Sequence, residues 1–343
     1  MNSPDSFHES AFHDELIRPG TSGLPDRFFD RFVFNLHPSD ATSPSVIFGF
    51  GMYPAKDTVD GFVVISDEKQ QRNLRYSTLL SATDGDGGGP FSFQVTSPNR
   101  TWQLRLGPNP TNVEFDLVWE ARTPAWHGEV SVNNSTGEST AFDHLFQSGT
   151  YTGTLTIDGN VQHVDGWYGQ RDRSRGVRTM SGGQGLHIWY QAQFPTLSIG
   201  FLLVETRDHT ELLLEGAVMH VDGTLDHIVD VKHDLVFNDV RDLESGRVRV
   251  TTESGAEYVV DADASAGGGH MAGAGYGGHH GAQLGADHVE HDVYPLDGSV
   301  NPSTLDSALT DRLCSFVLDS VKGSGIFEFA LTRSRSYAYK PTL

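Results

Sequence analysis

Apolar and polar positions alternate with a period of two along almost the whole chain. Trp102, Leu104 and Leu106 alternate with Gln103 and Arg105; Val113, Phe115, Leu117 and Trp119 alternate with Glu114, Asp116 and Val118. That period puts successive side chains on opposite faces of an extended backbone, so these runs predict strands with one buried face. The same reading places strands over residues 31–36, 46–50, 61–66, 91–96, 151–157, 186–194, 197–205, 211–220, 227–237, 246–252, 257–262, 313–321 and 326–332. Turn-forming clusters separate them: Ser-Pro-Asn at 97–99, Gly-Pro-Asn-Pro at 107–110, and Asp-Gly at 158–159 and 222–223. Many short strands without intervening helices point to antiparallel barrels or sandwiches, and away from a parallel α/β fold. One short helix is expected after Ser303, which forms a capping pair with Asp306.

At roughly 150 residues per domain, a chain of 343 residues suggests two. The break is expected near residues 145–160, giving an N-terminal β domain over 1–150 and a C-terminal β domain over 151–343. Within the latter, residues 264–285 are rich in Gly, Ala and His and cannot bury a core of their own. Long Gly-rich loops commonly close over cavities, so this stretch reads as a lid with Tyr276, His279 and His280 at its tip. Its histidines, with His288, His291 and nearby carboxylates on an irregular loop, offer metal ligands but no fixed geometry. Gly273-x-Gly275-x-x-Gly278 matches a dinucleotide fingerprint in letters only, since neither a strand before it nor a helix after it is indicated.

Charge narrows the partners. The chain has 24 Lys and Arg against 45 Asp and Glu, a net −21 with neutral histidines. So acidic a surface repels phosphate backbones and anionic headgroups, which disfavours nucleic acid and membrane partners. A single cysteine, Cys314, excludes an internal disulfide and reads as a buried thiol. Residues 1–10 carry neither a basic nor an apolar stretch, and no apolar run approaches 18 residues, so a cytoplasmic protein without membrane insertion is expected.

The strongest local signal is Gly166-Trp-Tyr-Gly-Gln-Arg-Asp-Arg-Ser-Arg-Gly-Val-Arg178, where Arg171, Arg173, Arg175 and Arg178 fall within eight positions. If the piece is extended, the first three arginines point one way while Asp172 and Ser174 point the other. Asp172 would then sit beside Trp167 and Tyr168, and desolvation would keep its carboxyl protonated near neutrality. If it is a loop, the arginines would depress that pKa and Asp172 would be an anchor. The arginines would equally suit pairing with the surrounding Asp excess to lock two domains together.

Trp167-Tyr-Gly-Gln-Arg-Asp-x-Ser-x-Gly-Val-Arg178, preceded by Gly153-Thr-Leu-Thr-Ile-Asp-Gly159, resembles the lipocalin-like superfamily of carotenoid 1,2-hydratase (hydroxyneurosporene synthase), AttH-type proteins, tocopherol cyclase-like proteins and some fungal Diels–Alderases. Asp30-Arg-Phe-Val-Phe-Asn35 and Phe48-Gly-Phe-Gly-Met-Tyr-Pro54 carry the same resemblance, whereas Arg175 stands where relatives usually have Trp. The resemblance implies an all-β chain of two calycin-like antiparallel barrels with an apolar cavity in or between them. It also implies an enzyme of lyase or isomerase/cyclase type that needs no metal or organic cofactor.

On that basis Asp172 is the candidate proton donor, with Arg171 and Tyr168 beside it as catalytic candidates. Trp167, Ser174, Arg178, His187, Trp189, Trp126, Tyr276 and His279 are candidate substrate-binding residues. Trp126 and His187 also fit ordinary core roles, as Trp102 and Trp119 do. The expected reaction is acid-catalysed hydration, dehydration, isomerisation or cyclisation at an alkene of a terpenoid or polyketide-like molecule. The alternative is a carrier that sequesters a hydrophobic ligand; a homodimer is compatible with either.

Overall fold

A computed structural model describes residues 16–133, 139–177, 184–300, 305 and 307–343. Ser303 and Asp306, the capping pair of the expected helix, lie outside the described residues, and residues 307–309 beyond them are not helical. The first sheet contains β1 (Phe28–Leu36), β2 (Ser45–Tyr53), β3 (Thr58–Ser66), β4 (Gln70–Leu79), β5 (Gly87–Gly88), β6 (Phe91–Ser97), β7 (Thr101–Leu106), β8 (Val113–Ala121), β9 (Trp126–Asn133), β10 (Ser139–Ile157) and β11 (Asn160–Val177). The second contains β12 (Gln184–Gln193), β13 (Leu197–Thr206), β14 (Glu211–His220), β15 (Leu225–Phe237), β16 (Leu243–Thr252), β17 (Glu257–Asp263) and β18 (Gly268–His270). After these come β19 (His288–Pro295), β20 (Thr310–Leu318) and β21 (Val321–Leu331).

The second sheet runs β17-β16-β15-β14-β13-β12-β21-β20, and β17 pairs back onto β20 to close an eight-stranded antiparallel barrel, with β18 appended to β20. The first sheet is a curled half-barrel ordered β19-β4-β3-β2-β1-β11-β10-β8-β7-β6-β5, with β9 also on β10. The chain is therefore all-β with two calycin-like domains. Residues 150 and 151 lie inside β10, and the chain passes from one sheet to the other between Val177 and Gln184; β19 then returns to pair with β4. His288 and His291 consequently stand on a strand, where an irregular loop had been expected.

Both interiors are filled. Phe32, Phe34, Phe48, Phe50, Trp102 and Trp119 are at most 1% exposed inside the first sheet. Tyr190, Phe201, Phe316 and Phe327 fill the barrel, with Tyr190 and Phe201 stacked at 4.8 Å. Cys314 is fully buried there, and burial pushes its thiol up. Among the described residues no helix is long and apolar enough to cross a membrane.

The β10–β11 hairpin turns at Asp158 and Gly159, both at positive φ, as the Asp-Gly pair predicts. Its long strands let one hairpin serve two purposes. Alternation along β11 sends Arg171 and Arg173 into the first domain and Asp172 and Ser174 outward. Arg171 donates to Gln147 Oε1 and Asn99 Oδ1, both at 3.0 Å, between Trp102 and Trp119. Arg173 grips Asp30 through two hydrogen bonds of 2.9 Å, with both side chains at most 1% exposed.

Removing one partner of such a buried pair strands the other charge in hydrocarbon. Asp30→Asn should therefore lower the unfolding free energy in urea by roughly 3–5 kcal/mol. The double variant Asp30→Leu/Arg173→Leu should recover much of that loss; a silent single variant would show that the pair is solvated.

Candidate functional site at the seam of the two domains

The outer face of the first sheet lies against the outer face of the barrel. Antiparallel register carries one row of side chains across that first face: Asp60 of β3, Gly51 of β2, Arg31 of β1, Ser174 of β11, His144 of β10 and Gly128 of β9. One pair further along, Asp172 lies between Phe146 and Val33. The barrel answers with its own row, Glu215, Leu202, Trp189, Glu328 and Asp311.

His144 joins the two faces. Its Nε2 meets Asp172 Oδ2 at 2.6 Å and its Nδ1 meets Glu215 Oε1 at 2.5 Å. The ring is edge-on to Trp126, Phe142 and Phe146. Burial by itself would lower the imidazole pKa, but the charges and hydrogen bonds of Asp172 and Glu215 outweigh it and push His144 up to about 10. The proton of this centre therefore sits on His144 at neutral pH. Asp172, expected among aromatic neighbours alone, is instead hydrogen-bonded to a histidine 28 residues upstream that the hairpin folds onto it. Asp172 keeps about a tenth of its side chain exposed, so the centre is reached from solvent on that side.

A second acidic group occupies the barrel's row. Asp311 and Glu328 are cross-strand partners, and burial plus the Glu328 carboxyl push Asp311 well above the usual carboxylate range. His187 Nε2 meets Glu328 Oε1 at 2.8 Å. Trp189, 7% exposed, lies in this row and packs with Leu202 and Val204; Leu213 bridges that cluster to Phe29, Tyr53 and Phe142 of the first domain.

The remaining candidates divide by face. Trp126 stacks on Phe146 at 4.5 Å and donates from its indole toward His227 Nδ1 at 3.3 Å, so it plugs the seam beneath His144. Tyr276 sits beside the Arg31 guanidinium, 5.7 Å from its ring centroid. Arg171 is enclosed in the first domain and cannot reach the seam, which corrects its catalytic placement. Trp167 packs on that same interior core, and Tyr168 lies part-buried under Arg122, 4.6 Å from its guanidinium. His279 points to Glu290 at the sheet edge, 3.9 Å away. Arg178 lies outside the described residues.

The Gly/His-rich stretch is no free flap. Met271 and Ala274 are buried against Val33, Ile47, Phe62 and Val64 on the first sheet's outer face, and His270 is 3% exposed. His280 stands 3.7 Å from Asp60, and burial there lowers its pKa to about 4. Among the described residues no three His, Cys, Asp or Glu side chains are arranged to hold a metal ion. A depression of about 460 Å³ near Arg18, Asp86, Gln94 and Arg105 includes none of the candidate residues.

Sequence reasoning missed His144, Glu215, Arg31 and the Asp311–Glu328 pair. Phe142-x-His144-x-Phe146 did carry a signal, a histidine alternating with aromatics on one strand face. Glu215, a lone acid in an apolar run from Leu212 to Met219, carried another.

A family model described as a domain of unknown function, DUF7064, matches residues 46–279, more than half of the chain. The chain belongs to the DUF7064 family. No curated protein matches it in sequence. An AttH structure from Nitrosomonas europaea superposes with a TM-score of 0.60 at 12% identity, covering 92% of this chain and 99% of that one. CghA gives 0.52 at 9% identity, over 93% and 97%, and its structure with Sch210972 gives 0.50 at 11%, over 93% and 95%. Kievitone hydratase from Nectria haematococca gives 0.47 at 13%, over 92% and 93%. At these identities the likeness to the AttH and CghA structures shows that this DUF7064 chain shares their lipocalin-like fold, as the Arg-Asp-x-Ser segment implied.

The raised pKa of His144 has a definite consequence for stability. A histidine whose folded pKa lies above its unfolded value of about 6.5 stabilises fully below that pH, and the contribution disappears as pH climbs through the folded pKa. The stability difference between wild type and His144→Gln should thus be largest below pH 6.5 and shrink steadily toward pH 10. Denaturant titrations at several pH values read it directly; a difference independent of pH would mean that His144 is neutral.

Proposed function

We propose that this protein is an enzyme that moves a proton on a hydrophobic small molecule, of terpenoid or polyketide type, bound at the seam between its domains. The observation that carries this reading is the Glu215–His144–Asp172 chain, a charged proton-holding unit walled by aromatic rings and partly open at Asp172. Perturbed titratable groups held in such an enclosed place mark functional sites more often than surface ion pairs do.

Asp172 Oδ2 is occupied by His144, which leaves Oδ1 for a substrate. A carboxylate in that position acts first as a base: it takes a proton from carbon next to an activating group. The adjacent imidazolium stabilises the charge that remains and helps to return the proton elsewhere on the molecule. Double-bond isomerisation or loss of a hydroxyl as water follows from removal and return of one proton; hydration is the reverse. Ring closure of a molecule held against Trp189 and Phe142 belongs to the same repertoire. The sequence expectation of an Asp172 donor thus becomes a shared Asp172–His144 unit. CghA, a protein of this fold, has been solved with Sch210972, which supports a small-molecule site. A carrier would need room inside a barrel, and here the aromatic cores fill both domains.

Incubating the protein with a panel of terpenoid and polyketide alkenes in D2O should give a product carrying solvent deuterium. Asp172→Asn and His144→Gln should each slow its formation by about 10²-fold or more, with affinity changed by no more than about threefold. Undiminished deuterium incorporation in both variants would remove this centre from the chemistry.

A further inference from the structure

Arg31 lies part-buried in a chain of net charge −21; Arg122, likewise without a carboxylate in salt-bridge distance among the described residues, spends its donors on backbone carbonyls. Arg72, Arg75, Arg173, Arg247 and Arg312 each have a carboxylate within salt-bridge distance. Arg31, part-buried on β1, has none among the described residues. Its guanidinium donates to the Tyr53 hydroxyl, its Nε is buried without a partner, and the rings of Phe29, Tyr53 and Tyr276 surround it at 5.7–5.9 Å. Asp60, the nearest acid in its row, is separated from it by Gly51 and spends Oδ2 on the Gly281 backbone N–H. A Cβ at Gly51 would lie 2.8 Å from Tyr53 Oη, so the glycine is what allows Tyr53 to fold over the guanidinium.

A guanidinium drawn out of bulk water between rings, with donors left over, is a receptor for a planar anionic oxygen pair. Its position fits the proposed chemistry. Arg31 is the cross-strand partner of Ser174, and Asp172 is the diagonal neighbour on the same face, about 7–8 Å away between Cα atoms. An oxygen held at Arg31 therefore leaves the adjoining carbons beside Asp172 Oδ1.

We propose that Arg31 is an anion subsite, and that the molecule taken up at the seam is an apolar skeleton bearing a carboxylate, or a carbonyl whose oxygen becomes an enolate on proton removal. This inference rests on the seam being the substrate site. It deepens that reading by naming the substrate class: the oxygen at Arg31 gathers the negative charge that develops when Asp172 takes a proton from a neighbouring carbon. The electron pair of the broken C–H bond moves into the new C=C bond and onto that oxygen, and the proton rests on Asp172 until it is returned.

Two fluorescent probes of similar apolar bulk separate charge from hydrophobicity: 1-anilinonaphthalene-8-sulfonate, which is anionic, and N-phenyl-1-naphthylamine, which is neutral. The full-length chain should bind the sulfonate more tightly despite its own net charge. Arg31→Met should weaken the sulfonate about tenfold and leave the neutral probe within roughly twofold, with Arg31→Lys in between. Equal affinity of the wild type for both probes would overturn the proposal without any variant, as would Arg31→Met that is silent or weakens both probes alike. His144→Gln keeps the two ideas apart, since it should retain sulfonate binding while losing turnover. A silent Arg31→Met beside an inactive His144→Gln sinks the anion subsite alone. A sulfonate-deficient Arg31→Met beside an active His144→Gln sinks the proton-transfer centre alone.

Discussion

Charge buried in a β-sheet has to be met by groups on the same face, and β11 must meet this demand on both faces at once. Toward the first domain it carries Arg171 and Arg173, which would each be costly in an aromatic core without Gln147, Asn99 and Asp30 to receive them. Toward the seam it carries Asp172, answered by His144. Because strand alternation is strict, a one-residue slip of β11 would exchange the two sets and leave every one of these charges unpaired. The buried arginines thus fix the register that aims Asp172 at the second domain.

The seam itself combines adhesion with the proposed proton-transfer centre. Glu215 reaches His144 from the barrel, Ser148 and Ser198 share a hydrogen bond of 2.8 Å, and Arg122 donates to the Phe194 carbonyl at 2.7 Å. These contacts hold the domains together around His144 and its two acidic partners, Asp172 and Glu215. A hydrophobic seam without those buried polar groups would bind the domains with less desolvation. On the barrel's side, burial and the Glu328 carboxyl push Asp311 up, which disfavours its charged form.

Much of the fold was legible because burial on one face writes itself as alternation. The strands over 102–106, 113–119 and 211–220, and the Asp158–Gly159 turn, appear where the pattern placed them. Strands buried on both faces by apolar side chains, over 46–50, 61–66 and 197–205, were equally plain, whereas a strand that is polar on a covered face did not show. β4 presents Gln71, Asn73 and Ser77 to the Gly/His-rich segment and β19, so its buried positions look like surface. That segment looked like a loop for the same reason: glycines let it lie flat on the sheet, where Met271 and Ala274 anchor it. The two-faced character of β11 could be read from Arg-Asp-Arg-Ser-Arg, but the partner of Asp172 could not. His144 and Glu215 are 71 residues apart, and their meeting depends on how two sheets dock, which no local periodicity encodes.

The packed interiors bear on why the proposed chemistry is placed at the seam. A lipocalin-like barrel with an empty centre can enclose a ligand, but here the first domain spends its interior on stacked Phe, Trp and two arginines, and the barrel on Tyr190 and its neighbours. Apolar walls, titratable groups and residual exposure coincide instead where Phe142 and Phe146 pack on His144, the partner of the partly exposed Asp172. Placing the reactive groups on the outer faces of two rigid sheets also preorganises them, since each rotamer is fixed by strands already committed to a core. A ligand entering there would exchange water for aromatic surface on both sides. It would then meet Arg31 and Asp172 on one register-locked face, whose spacing the β1–β11 pairing sets and the ligand cannot alter.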